Sequence, residues 1–152
     1  MPFALRYIAL YVPDVHAAED FFGSVFAMAL LFRESEQADG TSSTLRPEID
    51  WGAAETAHTG IDMVALRRDE FVLALFRGAP APGTVFELCV GLPADEVSAV
   101  RERLPQAGLV IESRPDSFGF EDPFGFRWAV QREDAEFRSS GDIAGRWINR
   151  TR

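Results

Sequence analysis

The chain has 152 residues and a formal charge of −9, with 24 acidic residues against 15 basic ones. Every basic residue is Arg, which excludes Schiff-base chemistry and a lysine general base. The acidic balance argues against nucleic-acid phosphates as a partner, and the single cysteine, Cys89, excludes an internal disulfide and a cysteine-rich zinc site.

Apolar residues make up 47% of the chain, enough for one domain with a real core, or one domain built from two small halves. No basic segment followed by a long apolar run opens the sequence, and no run reaches the ~20 apolar residues of a membrane helix. The expectation is a soluble cytoplasmic protein with neither membrane nor nucleic acid as partner.

Phe3 to Val12 alternates with period two and reads as a strand, with Ile8, Leu10 and Val12 on one face and Tyr7, Ala9 and Tyr11 on the other. Pro13 and Asp14 stop it, and Asp14 is a good N-cap. Val15, Ala18, Phe22, Val25 and Phe26 then fall on one helical stripe. Ala29 to Phe32 reads as a second strand. Residues 36–60 are polar and read as a long loop with a short strand around Ser43 to Leu45. Ile61 to Arg67 and Glu70 to Phe76 read as a hairpin across Arg68-Asp69. Gly78 to Gly83 carries two prolines and two glycines and reads as a linker.

After the linker the pattern restarts. Val85 to Val90 is a strand with Phe86, Leu88 and Val90 on one face. Pro93 and Asp95 open a helix carrying Val97, Val100 and Leu104, and Pro105 and Gly108 end it. Leu109 to Glu112, Phe118 to Glu121 and Phe126 to Gln131 are three further strands. Tyr7–Val12 overlays Val85–Val90 with an offset of 78 (85 − 7). The fold class is therefore α+β: two tandem βαβββ modules, 3–77 and 84–131, joined by the linker 78–83, with a tail from 132 to 152. A half this small cannot readily bury both sides of its sheet, which is the reason to pair two. The tail is charged until Ile143, Trp147 and Ile148, a cluster suited to a docked helix or a partner contact.

Two stretches carry a family resemblance. Tyr7-Ile-Ala-Leu-Tyr-Val-Pro-Asp14 with Phe21-Phe-Gly-Ser-Val-Phe-Ala27 is one. Phe120-Glu-Asp-Pro-Phe-Gly-Phe-Arg-Trp128 is the other. With the repeat between them, the chain resembles the glyoxalase / bleomycin-resistance / extradiol-dioxygenase (vicinal oxygen chelate) superfamily over residues 3 to about 131. The resemblance implies two modules curled into an open cup with the ligand inside, often completed by a second chain. It also implies four strand positions for the ligands of metal-using members. Carried over, these fall on Tyr7, near Ala74, on Val85 and on Ala129. Val and Ala cannot bind a divalent ion, and a phenol binds one only when ionised. A shift of two would bring Glu87 onto the fifth strand, and one carboxylate does not make a site. His16, in the first turn of the first helix, and His58, in the long loop, do not replace the missing ligands. The expectation is no catalytic metal and no cofactor.

By alternation the cup-facing set is Tyr7, Ala9 and Tyr11; Val72, Ala74 and Phe76; Val85, Glu87 and Cys89; and Arg127, Ala129 and Gln131. Aromatic and small residues with a few polar groups suit a small-molecule pocket. The ligand-binding candidates are Tyr7, Tyr11, Trp51, Phe76, Glu87, Phe120, Arg127 and Gln131. Glu87 and Arg127 suit either a ligand or each other. Trp51 suits either stacking on a planar ligand or anchoring its own loop. Phe118, Phe120, Phe124 and Phe126 crowd the second module's rim as a pocket wall or partner surface. Cys89 reads as inert core. Three functions stay open: a metal-free binding protein of the bleomycin-resistance type for an aromatic or cationic drug-like molecule, acting as a homodimer; a lyase, dioxygenase or isomerase; and an interaction module that uses its cup as an interface.

Overall fold

The computed structural model describes residues 5–104, 110–114 and 117–135. The expected strand start at Phe3, the helix end at Pro105 and Gly108, the strand start at Leu109 and the tail cluster Ile143, Trp147 and Ile148 lie outside them.

The first module runs β1 (Ile8–Val12), α1 (Val15–Val25), β2 (Ala29–Glu36), β3 (Ser42–Thr44), α2 (Trp51–Thr56), β4 (Met63–Arg68) and β5 (Phe71–Arg77). A short 3-10 turn over Pro82–Thr84 follows. The second runs β6 (Leu88–Leu92), α3 (Ala94–Arg103), β7 (Val110–Arg114), β8 (Ser117–Glu121) and β9 (Arg127–Arg132). Asp14 caps α1 as its sequence position requires, accepting from the Ala17 N–H at 2.9 Å. Val15, Ala18, Phe21, Phe22 and Val25 form the buried stripe of that helix.

The strand order is β1-β5-β4-β2-β3 in one sheet and β6-β9-β8-β7 in the other. In each module the first strand lies parallel to the last, and the remaining pairs are antiparallel. The repeat extends to irregularities. β2 slips register against β4 between Leu30 and Phe32, and β7 slips against β8 between Val110 and Glu112. Ile8 pairs with Leu73, and Leu88 with Trp128, each at the start of its strand. The structural offset is thus 80 (88 − 8), two more than the sequence overlay. Strand parity survives that shift; position does not.

Other expectations change as well. The 36–60 stretch is not a plain loop. Its short strand is present as β3, and α2 is a helix capped by Asp50, which accepts from the Ala53 N–H at 2.8 Å. β2 continues four residues past Phe32, because Arg33 to Glu36 alternate: Ser35 is buried, and Arg33 and Glu34 are half-buried. The β4–β5 turn falls on Asp69-Glu70, since Arg68 pairs with Phe71, and Asp69 takes a positive φ of 52°. β6 begins at Leu88, so Phe86 precedes the strand and is exposed rather than packed under a helix.

The core decides where the site lies. α1 packs on β4, β5 and β2 of the first sheet and touches α3. Its phenylalanines also meet the second sheet: the ring of Phe26 stands 5.3 Å from Trp128 and 5.9 Å from Phe120, and Phe22 stands 5.5 Å from Trp128. Were the sheets joined edge to edge through β1 and β6, β4 would lie four or five strand spacings from β9 and β8, about 19–24 Å. A helix about 10–12 Å across cannot cover both. The sheets therefore stand on opposite sides of α1, each turning its apolar face inward and its other face outward.

Candidate functional site

The outer face of the first sheet is aromatic. Cross-strand partners share a face, so the register Thr44–Glu34–Met63–Phe76–Tyr11 forms one row across five strands. Tyr11 and Phe76 meet edge to face with centroids 6.4 Å apart and are 59% and 37% exposed. Tyr7 lies four residues before Tyr11 on that face, 60% exposed. Gly78 fixes the Tyr11 ring: a Cβ there would lie 2.5 Å from the ring's Cδ1, so only glycine lets the ring lie where it does. The next row runs Phe32, Ala65, Ala74 and Ala9, and is small on every strand but β2.

The outer face of the second sheet is polar over an equivalent small row, Gly119–Ala129–Cys89. Arg127 Nε donates to Glu87 Oε2 at 2.9 Å, and the guanidinium lies 5.6 Å from the Phe86 ring centroid. The two residues pair with each other, the simpler of the two expectations. Gln131 stands opposite Ser117. Cys89 is exposed on this face, not inert core, because its neighbours in the row are Ala129 and Gly119.

Asp122 holds the corner between β8 and β9. Its buried carboxylate accepts from the N–H groups of Phe124 and Phe126 and from Trp128 Nε1, each at 2.9 Å. Burial pushes its pKa above the ordinary 3.8, against the lowering pull of the Trp128, Phe126 and Phe124 hydrogen bonds. Gly125, at φ 90°, completes the turn.

Two candidates lie away from the outer faces. Phe120 is 0% exposed, packed between β8 and α1, and Phe118 and Phe126 are buried too. They are inner core rather than a rim, because two helices cover this sheet and the apolar face is larger than one helix needs. Trp51 stacks on His16 at 4.3 Å and donates its indole N–H to Glu19 Oε2 at 2.8 Å. Glu19 also forms a bidentate pair with Arg33, whose register partner Val64 is on the inward face. Trp51 thus anchors α2 to α1 on the helix side. Of the eight candidates, the structure joins Tyr11 with Phe76 and Glu87 with Arg127. It places one pair on each of the two sheets. Sequence reasoning missed Glu34, whose place on the aromatic face follows from the extra length of β2.

With the structural offset, the four positions where metal-using relatives carry ligands become Tyr7, Ala74, Glu87 and Ala129. Glu87 replaces the expected Val85. Glu87 is engaged with Arg127, and the two alanines have no donor atom, so this set does not fit a divalent ion. Among the described residues no three His, Cys, Asp or Glu side chains are grouped to hold one. A groove of about 430 Å³ opens between the sheets, lined by Ile8, Phe26, Met28, Phe71, Leu88 and Trp128 among others. No helix among the described residues is long and apolar enough to cross a membrane.

Residues 4–130 match the sequence family described as the Glyoxalase/Bleomycin resistance protein/Dioxygenase superfamily. No curated protein matches the chain significantly. Among solved structures, the chain is similar to a possible glyoxalase from Bacillus cereus, with a TM-score of 0.55 and 21% identity over 86% of this chain and 99% of that one. It is similar to the fosfomycin resistance protein FosX from Listeria monocytogenes in complex with Mn(II) and sulfate, at TM-score 0.60 and 14% identity over 87% and 91%. It is also similar to TioX from Micromonospora sp. ML1, at TM-score 0.56 and 16% identity over 86% and 98%. At these identities the likeness is one of fold.

Proposed function

The chain belongs to the glyoxalase/bleomycin resistance protein/dioxygenase superfamily, and from that premise we propose that it binds a small aromatic or cationic molecule, without a catalytic metal, in a cup completed by a second copy of itself. The observation that carries this reading is the outward direction of two complementary faces, one aromatic and one polar. In a two-fold dimer the aromatic face of one chain stands beside the polar face of its partner, and reciprocally. Flat ligand surface packs on Tyr11 and Phe76, while Arg127, Glu87 and Gln131 fix orientation. Such a protein protects its host by withholding the compound from its target.

The sheet edges support where the two copies join. β3 is three residues long, and β7 ends on the exposed Arg114, so both are blunted. β1 and β6, Ile-Ala-Leu-Tyr-Val and Leu-Cys-Val-Gly-Leu, carry neither charge nor proline. Unguarded apolar edges favour pairing with another chain.

Light scattering on the purified chain is expected to give twice the 16.9 kDa chain mass. Titration with Mn(II), Zn(II), Ni(II) and Fe(II) is expected to give no tight stoichiometric binding. The competing reading, a metal-dependent enzyme, has FosX with its Mn(II) in favour of it and predicts the opposite titration. A monomer that binds one ion tightly overturns the proposal.

A further inference from the structure

We infer that Glu34 is the charge-selecting residue of the aromatic face, so that the preferred ligand is a planar aromatic cation whose positive end sits at β2; this rests on the binding reading above. Glu34 reaches the face through register. It pairs with Met63, which pairs with Phe76, which pairs with Tyr11. Three strand spacings, about 14 Å, separate the carboxylate from the Tyr11 end of the row. That span suits a fused-ring compound lying across the strands.

The carboxylate is half-buried, and its described hydrogen-bond partner is Thr44 Oγ1 at a long 3.5 Å. The half-buried acids Glu87, Glu19, Asp62 and Glu96 are committed: Glu87 to Arg127, Glu19 to Arg33 and Trp51, Asp62 to Arg77, and Glu96 to Arg68 and Arg103. None of the ion pairs among the described residues includes Glu34. Among the described strand residues the same face holds one base, Arg67, four residues along β4 from Met63, about 13 Å away. Its Nε donates to the Asp69 carbonyl at 3.0 Å, at the far end of the sheet. An available carboxylate at one end of a row whose other end carries exposed aromatic rings is the chemistry that selects a cation over a neutral molecule of the same shape. Glu36 is also on this strand face but is exposed and lies beyond the aromatic row, opposite Ser42.

The test compares N-methylquinolinium with quinoline, which is uncharged near neutral pH, by calorimetric titration of the full chain. The wild type is expected to bind the cation about fivefold more tightly. Glu34→Gln is expected to abolish that preference while leaving quinoline affinity unchanged, and Glu36→Gln is expected to keep it. Equal binding of both probes by the wild type, or a preference that survives Glu34→Gln, overturns the assignment and leaves the cup reading standing. Binding of neither probe overturns both.

Discussion

On their inner sides the two sheets are built alike. Val12, Val64 and Leu75 in the first, and Phe120, Trp128 and Val130 in the second, are buried against the helix layer. On their outer sides they part. Each keeps a small-residue row, Ala65–Ala74–Ala9 and Gly119–Ala129–Cys89, at the same place in the module. Around that row the first sheet sets tyrosine and phenylalanine, while the second sets an Arg–Glu pair. Inner residues maintain the duplicated fold, and outer residues are released from that role, so the divergence between the modules is read as function. The comparison predicts that inner substitutions act on stability and outer ones on binding.

The largest effect is expected at Phe120→Ala. The ring is fully buried between β8 and α1, and its loss should cost about 3–5 kcal/mol in urea unfolding. Because α1 serves both sheets, one cooperative transition should move as a whole. Two separate transitions would break the claim that α1 unites the modules.

Next comes Glu19→Ala. It strands Arg33, whose side chain is 10% exposed, and releases the Trp51 indole N–H. A loss of about 2 kcal/mol is expected, with Trp51 fluorescence shifting to the red as α2 loses its anchor. An unchanged spectrum would return Trp51 to the list of ligand contacts.

Asp122→Asn should cost about 1 kcal/mol, because the amide presents a second donor to Trp128 Nε1. The sign of its pH dependence is distinctive. Burial raises the carboxyl above 3.8 in the folded state, so its contribution to stability is fully present below 3.8 and declines as pH rises through the folded value. The variant lacks that decline. Its deficit relative to the wild type should therefore narrow from acid toward neutral pH, as read from urea midpoints.

The smallest stability effect, under about 0.5 kcal/mol, is expected at Tyr11→Ala, an exposed position. Its effect on N-methylquinolinium binding should nonetheless be the larger one. A Tyr11→Ala protein that unfolds easily and binds normally would reverse the division between inner and outer faces.

The alternation of β1, β5 and β9 was legible in the sequence, because period two survives any register. The strands flanking Asp122-Pro-Phe-Gly125 were legible too, since the turn that joins them is held by local hydrogen bonds. What needed the structure depends on contacts distant in sequence. α2 is six residues long and held by Glu19, thirty-two residues before Trp51, which local propensity cannot register. The bulge at Leu30–Phe32 breaks the alternation where β2 begins, so Glu34 was read as lying past the strand's end. By sequence Phe120 reads as a rim residue, and its packing against the α1 phenylalanines accounts for its burial.

The most direct test of the shared cup mixes two binding-deficient proteins. One carries Tyr11→Ala with Phe76→Ala on the aromatic face, and the other carries Arg127→Ala on the polar face. In a dimer that shares its cups, each mixed dimer rebuilds one intact cup from the undamaged faces. After unfolding and refolding together, about a quarter of all cups should again bind N-methylquinolinium. Cups closed within single chains would stay damaged in every mixture, and no recovery of binding would contradict the account.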